Sequence, residues 1–174
     1  MLQNRNPHVI PEATSGSEGY PGSLFIIAHN IRSLHNVGSI FRTADSLGVH
    51  KLYLTGYTGT PPDPRLAKVA LGAEEFVPWG YTKSVVRLVK KLRQEMPGIR
   101  IAALENNVTY KTTELKDYQP SFPLALIIGE ETKGNTKKIL DLCDDILEIP
   151  MQGKKESLNV SVACGIAMYA LMSK

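Results

Sequence analysis

At 174 residues, 43% of them hydrophobic and 21% charged, the chain is long enough for one domain with a sizeable core. Its formal charge of +3 is compatible with nucleic acid but too small to establish such a partner unaided. Cys143 and Cys164 show no CxxC spacing and no clustered histidine, which excludes a zinc motif and leaves no reason for disulfides.

Thiols of this kind suit a reducing cytoplasm. The N-terminal segment lacks the apolar core of a signal peptide. The last apolar run, from Val160 to Met172, is interrupted by Ser161 and Gly165 and is too short to span a bilayer. A cytoplasmic protein with no membrane segment is therefore expected.

Residues 1–23, with Pro7, Pro11, Gly16, Gly19, Pro21 and Gly22, predict an irregular arm, and residues 24–174 a single domain. SLFIIAH reads as a buried strand. NVGSIFRTADSLG follows as a helix with Val37, Ile40, Phe41 and Ala44 on one face and Gly48 as its stop. KLYLTG is a second strand. After the loop YTGTPPDP come a short helix, RLAKVALG, and a brief strand, EEFVPW. KSVVRLVKKLRQEM is an amphipathic helix with Val85, Leu88, Val89, Leu92 and Met96 inward. IRIAALE and LALIIG are strands, TKKILDLC a helix, DILEIPM a strand and ESLNVSVACGIAMYALM the final helix. Six strand-like runs separated by helices predict an α/β domain with a mostly parallel sheet flanked by helices.

In such sheets ligands bind outside the carboxyl ends of the strands. Three ends carry suggestive residues: LE at 104–105, GEE at 129–131 and IPM at 149–151. Backbone, glycine and short apolar side chains there suit an adenosine-like ligand without a phosphate tail, although plain turns between strand and helix have the same composition. The stretch LALIIGEETKGNT, 124–136, imitates a phosphate-binding P-loop with Asn135 in place of the lysine. Glu130 and Glu131 stand where phosphates would lie, and Lys133 alone does not offset them. The loop suits a neutral or cationic ligand, and Gly129 is expected to let backbone approach that ligand closely.

Taken singly, the polar candidates have plain explanations. Asn36, Ser157 and Asn159 sit at helix starts and could be caps. Arg42 lies off the apolar face, where a pair with Asp45 would account for it. Glu131 could be a solvated loop charge. Basic residues gather at Lys83, Arg87, Lys90, Lys91 and Arg93, at Lys133, Lys137 and Lys138, and at Lys154 and Lys155. The first group suits a solvated helix face. The others flank the pocket loops, where a phosphate backbone could be held.

Together these residues resemble a known set. NVGSIFRTADSLGVHKLYLTG, LIIGEETKGN with DILEIPMQG, and ESLNVSVACGIAMY are similar, in order, to the three motifs of the SpoU/TrmH-type RNA methyltransferases of the SPOUT superfamily. The resemblance covers about residues 24–172. It implies S-adenosylmethionine as cofactor, methylation of a ribose 2′-hydroxyl in tRNA or rRNA, and a deep C-terminal trefoil knot. Asn36 and Arg42 match the first motif, Glu131 the second, and Ser157 and Asn159 the third, and all five are carried over as catalytic. Leu104, Gly129, Ile149 and Leu158 stand where the family holds the cofactor. Lys133, Lys154 and Lys155 are the expected RNA contacts. The family assigns Arg42 to activating the hydroxyl, but a guanidinium hardly deprotonates in proteins. A clamp on the adjacent phosphate is the physically easier role.

Many relatives carry an extra RNA-binding domain or flanking helices, whereas this sequence stops at Lys174, soon after the final helix. Substrate identity is left open between tRNA and rRNA. Two rivals stay in view: a non-catalytic RNA-binding or ribosome-assembly factor on the same fold, and a nucleotide enzyme using the 129–136 loop. The final helix is apolar nearly all round, so it predicts burial on more than one side and hence a homodimer.

Overall fold

The protein's computed structural model describes residues 22–106 and 108–174; most of the expected N-terminal arm, residues 1–21, lies outside them. β1 (Leu24–His29) leads through α1 (Leu34–Leu47) to β2 (Lys51–Thr55). Next come α2 (Pro64–Ala70), α3 (Ala73–Phe76), β3 (Trp79–Thr82), α4 (Val85–Glu95) and β4 (Arg100–Leu104). β5 (Thr113–Glu114), β6 (Leu124–Ile128), α5 (Lys137–Leu140), β7 (Asp145–Glu148) and α6 (Val160–Met172) follow. The strands form one sheet in the order β3-β2-β1-β6-β4-β7-β5, and every pairing is parallel. The α/β architecture with a parallel sheet is thus as expected.

Strands covered on both faces read as unbroken apolar runs, and β1 and β6 do so. Leu24, Ile26 and Ala28 of β1 enter one hydrophobic cluster with residues of α1, α2 and α6. Phe25 and Ile27 enter a second, with Val85, Leu88, Val89, Leu92 and Met96 from α4 and its C-terminus. The helices therefore lie on both faces. Among the described residues, no helix is long and apolar enough to cross a membrane.

Three local expectations change. In EEFVPW, Glu74, Glu75 and Phe76 are helical and the strand begins only at Trp79. Gly72, in the left-handed region at φ 89, starts that extra turn, and Phe76 is 65% exposed, so it has no sheet to bury it. TKKILDLC is helical for only one turn, α5. A seventh strand, β5, is a two-residue edge with no apolar alternation to announce it.

α1 begins one turn earlier than its apolar pattern suggests. Ser33 is the cap, and its hydroxyl accepts from the Asn36 N–H at 3.3 Å. Asn36 is therefore a buried residue of the first turn and not the cap. Close packing of α1 on α2 depends on Gly38, where a Cβ would lie 2.6 Å from the Leu66 carbonyl oxygen and 2.9 Å from the Val69 Cβ. On α6, a Cβ at Gly165 would meet only Thr43 Cγ2, at 3.6 Å, an ordinary contact.

These two glycines should respond differently to substitution. Gly38→Val overpacks a backbone contact and is expected to cost about 1–3 kcal/mol. Gly165→Ala should be neutral or gain up to about 1 kcal/mol from helix propensity. Urea unfolding midpoints check both; equal losses would mean that the α1–α2 crossing is not this tight.

Candidate active site

β6, β4 and β7 are neighbours, so their carboxyl ends open into one space. A cleft of about 310 Å³ lies there, within the usual size for a small-molecule site. Leu104, Gly129, Ile149 and Leu158, the four expected cofactor contacts, all line it. So do Glu131, Lys133 and Ser157, together with Met151, Val160 and Ala163. Three sequence-distant loops are thereby brought round one ligand-sized volume.

The glutamate loop is folded back on itself. Gly134 N–H donates to the Glu130 carbonyl at 2.9 Å, and Gly134 adopts φ 62. A Cβ on Gly129 would fall 2.5 Å from the Gly134 carbonyl carbon and 2.7 Å from Asn135 N. Gly129 lines the cleft, and the absence of its Cβ also admits the backbone of its own loop. Gly134 is equally constrained, because a Cβ there would lie 2.3 Å from Glu105 Oε2.

Two residues stand behind this geometry: Glu105, part of the suggestive strand end LE, whose partner the sequence does not show, and Asn106, which carried no signal. The Glu105 carboxylate accepts from Asn135 N–H, so it supports the loop from below. The Asn106 carboxamide clamps Ile149, donating to its carbonyl at 2.6 Å and accepting from its N–H at 3.2 Å. Polar residues after a strand are common, and only the pairing of β4 with β6 and with β7 shows what these two reach.

Glu131 ties the cleft to α1. One carboxylate oxygen accepts from Arg32 N–H, and the other from Ser33 N–H and Asn36 Nδ2, each at 3.1 Å. Asn36 Oδ1 in turn accepts from Asn159 Nδ2 at 3.2 Å. Asn159 also caps α6, its Oδ1 accepting from Ser161 N–H at 2.9 Å and Val162 N–H at 3.4 Å. Residues of all three motifs thus form one chain of hydrogen bonds. Partial burial alone would raise the Glu131 pKa, but the donors from Arg32, its own N–H, Ser33 and Asn36 outweigh it and hold the carboxyl below its ordinary value.

Other candidates are placed elsewhere. Lys154 and Lys155 are exposed on the loop between β7 and α6 and do not line the cleft. Arg42 is exposed, about 9 Å along α1 from Asn36, and makes no ion pair with Asp45 among the described residues. Its neighbour Thr43 faces Gly165 of α6. No group of His, Cys, Asp or Glu among the described residues could hold a metal.

The charge lining the cleft tests what it can hold. Glu105, Glu130 and Glu131 face a single lysine, Lys133, a set hostile to phosphates and suited to a ligand with a sulfonium cation. Apolar Leu104, Ile149, Met151 and Leu158 supply the surface an adenosine group needs. S-adenosylmethionine fits this lining.

Comparison with known proteins agrees. The profile of the SpoU rRNA Methylase family matches residues 23–169. The chain is 31% identical over 150 residues to a putative TrmH family tRNA/rRNA methyltransferase, YacO, of Bacillus subtilis, covering 86% of this chain and 58% of that one. It is 32% identical over 162 residues to the 23S rRNA (guanosine-2'-O-)-methyltransferase RlmB of Ralstonia nicotianae, covering 92% and 61% respectively. The chain thus spans about three fifths of the length of these curated relatives. Among solved structures, the SpoU methyltransferase AviRb from Streptomyces viridochromogenes superposes with a TM-score of 0.78 at 28% identity, over 87% of this chain and 59% of that one. The same protein in complex with AdoMet gives 0.78 at 25% identity, over 99% and 62%.

Two outcomes follow from the loop geometry. Gly129→Val should displace the loop, lowering both the unfolding midpoint and S-adenosylhomocysteine affinity; unchanged binding in calorimetry would remove the cleft from consideration. Because the folded-state pKa of Glu131 is lowered, its contribution to stability is fully present above the carboxyl's ordinary value and disappears as pH falls through the lowered one. The stability gap between wild type and Glu131→Gln, measured by denaturant titration, should therefore be constant at neutral pH and close in acid. A gap independent of pH would mean that the charge of Glu131 does not hold α1.

Proposed function

The chain belongs to the SpoU rRNA Methylase family, and from that footing we propose that it is an S-adenosylmethionine-dependent methyltransferase acting on a ribose 2′-hydroxyl in tRNA or rRNA. The observation that carries the proposal is the cleft, in which Leu104, Gly129, Ile149 and Leu158 meet under a mainly acidic rim. The bound cofactor supplies an electrophilic methyl group. The family fold implies a C-terminal trefoil knot, which belongs to the same proposal and is supported by the three loops converging on one volume.

Leu104, Ile149 and Leu158 hold the apolar part of the cofactor, with backbone of the 129–134 loop beside them. Glu131, Asn36 and Asn159 act as positioning residues, since their polar atoms are spent on one another and on the first turns of α1 and α6. Ser157, on the cleft wall, is free to meet the substrate. Arg42, a permanent cation, grips the phosphate beside the target ribose and orients its hydroxyl for in-line attack, and the hydroxyl proton passes to water. Lys133, Lys154 and Lys155 hold the neighbouring backbone.

Arg42 does not line the cleft of its own chain, which supports a homodimer whose sites draw on both copies. α6 supports it independently. Cys164, Ala167, Met168 and Leu171 are buried, whereas Val162, Ile166 and Tyr169 form an outer stripe 50%, 42% and 65% exposed. Soluble monomers seldom leave such a stripe open, and a two-fold partner closes it. Free Cys143 and Cys164 favour a cytoplasmic setting.

The decisive assay is transfer of labelled methyl to total tRNA and to rRNA from a strain lacking the protein, with mapping of the product nucleotide. Arg42→Ala should abolish transfer while leaving S-adenosylhomocysteine binding intact; full activity in that variant would refute the assignment, and RNA binding without transfer in wild type would favour the assembly factor. Mixing Arg42→Ala with Gly129→Val chains should restore part of the activity, because one hybrid site is then complete; a fully active monomer by light scattering would exclude this. Replacing Lys133, Lys154 and Lys155 together should flatten the slope of log affinity for RNA against log salt by about 2. An unchanged slope would move the RNA surface elsewhere.

A further inference from the structure

Beside the cleft, at the carboxyl ends of β2 and β3, two tyrosines stand in the open. Tyr57 is 54% exposed and Tyr81 52%. Exposed aromatic rings are ordinary on flexible loops. These are not on a flexible loop.

The backbone that carries Tyr57 is pinned from several sides. Thr58, buried, accepts from Ile31 N–H at 3.0 Å and shares its proton between the carbonyls of Thr55 at 2.8 Å and Ala28 at 3.0 Å. Tyr57 N–H donates to Asn30 Oδ1 at 3.2 Å. Asn30 itself is left-handed at φ 58, and Gly56 at φ 70 leaves room for it: a Cβ on Gly56 would lie 1.8 Å from Asn30 Oδ1. Asparagine tolerates this left-handed backbone, and its side chain is thereby turned onto the Tyr57 N–H. The Tyr81 hydroxyl donates to the Gly56 carbonyl at 2.7 Å, so the second ring is fixed to the same turn.

The surroundings of the rings indicate a ligand. Asn30, which holds the Tyr57 turn, is two residues from Arg32, whose N–H binds Glu131 of the cleft loop, so the turn adjoins the cleft. The Tyr57 phenol is held above its ordinary pKa by partial desolvation and then by the nearby Glu130 carboxylate. Arg32, exposed, acts on the same phenol electrostatically, and its own N–H binds Glu131. Lys83, also exposed, directly follows Thr82, whose carbonyl accepts from Gly56 N–H at 3.3 Å. Exposed aromatic rings on a pinned turn next to the cleft, with the exposed cations Arg32 and Lys83 in the same segments, are the equipment of a single-stranded nucleic acid site, in which bases stack on rings and phosphates meet cations.

We propose that Tyr57 and Tyr81 form a stacking platform for unpaired bases next to the methylated ribose, with Arg32 and Lys83 holding the phosphates between them. The proposal rests on the RNA methyltransferase assignment above and adds to it a substrate property: the acceptor segment is unpaired where it meets the protein. Because every base has a π-face, the platform tolerates sequence, and it leaves base identity to other contacts.

The test uses the full chain and a single-stranded oligouridylate of roughly 12 nucleotides with one central 2-aminopurine, against a duplex of equal length. The single strand should bind better than the duplex, and 2-aminopurine emission should fall on binding as its base stacks. Tyr57→Ala combined with Tyr81→Ala should weaken the single strand by about 10-fold or more and abolish the quenching, while salt slope and S-adenosylhomocysteine binding stay as in wild type. Tyr57→Phe, which keeps the ring and loses only the hydroxyl, should retain affinity within about 2-fold. Wild-type affinity and quenching in a folded double variant that binds S-adenosylhomocysteine would overturn the platform and leave the methyltransferase assignment standing. A change of oligomer mass with RNA binding unaltered would also overturn it, by making these rings a contact between copies. A wild-type chain that binds neither S-adenosylhomocysteine nor RNA would overturn both.

Discussion

The Glu131 carboxylate is the point on which the site depends. It gathers two backbone donors and one side-chain donor at the entrance to α1, and through Asn36 it reaches the cap of α6. An α-helix leaves its first N–H groups without partners, and a carboxylate in that position meets both that need and the positive end of the helix dipole. The cost of partly burying the charge is outweighed by its donors, which is why the carboxyl stays ionised. Loss of this one anion would free the glutamate loop from α1, and Asn36, which accepts from Asn159 of α6, would lose its own acceptor.

Around that anchor the cleft walls are set by short-range geometry. The 129–134 loop can turn back only because neither Gly129 nor Gly134 has a Cβ, and Glu105 fills the space under the turn. Asn106 performs on Ile149 what a further strand residue would, satisfying both its backbone groups with one side chain. These contacts place backbone and apolar side chains on the walls and acidic groups at the rim. A polyphosphate would be repelled there, and a sulfonium cation would not. The likeness to a P-loop is confined to the spacing of the glycines.

The outer surface carries the remaining functional information. Arg42 is exposed and does not line the cleft of its own chain, and it lies beside α6, whose outer side is apolar. On the other flank, the rigid turn at Gly56 and Tyr57 offers aromatic faces where the chain could have placed any polar residue. As proposed above, the first of these surfaces meets a second copy and the second meets RNA.

The periodicity of Val37, Ile40, Phe41 and Ala44, of the α4 residues, and of the unbroken runs in β1 and β6 determined the elements and the layered parallel sheet, because burial of a face is written into nearby positions. That regularity also let Leu104, Gly129 and Ile149 be named as neighbours, since parallel strands bring their carboxyl ends to one edge. It failed where elements were too short to show a period, in α3 and β5. What only the tertiary structure decided was pairing at long range. The bonds of Glu131 span 95 to 99 positions, and the bond between Asn159 and Asn36 spans 123. Which carboxylate meets which helix end depends on strand order and on the path of each crossover, and a hydrophobic period carries no record of either. For the same reason Asn36 reads in sequence as a cap and in the fold as a buried link, and Gly129, which lines the cleft as the sequence suggests, also makes room for its own loop.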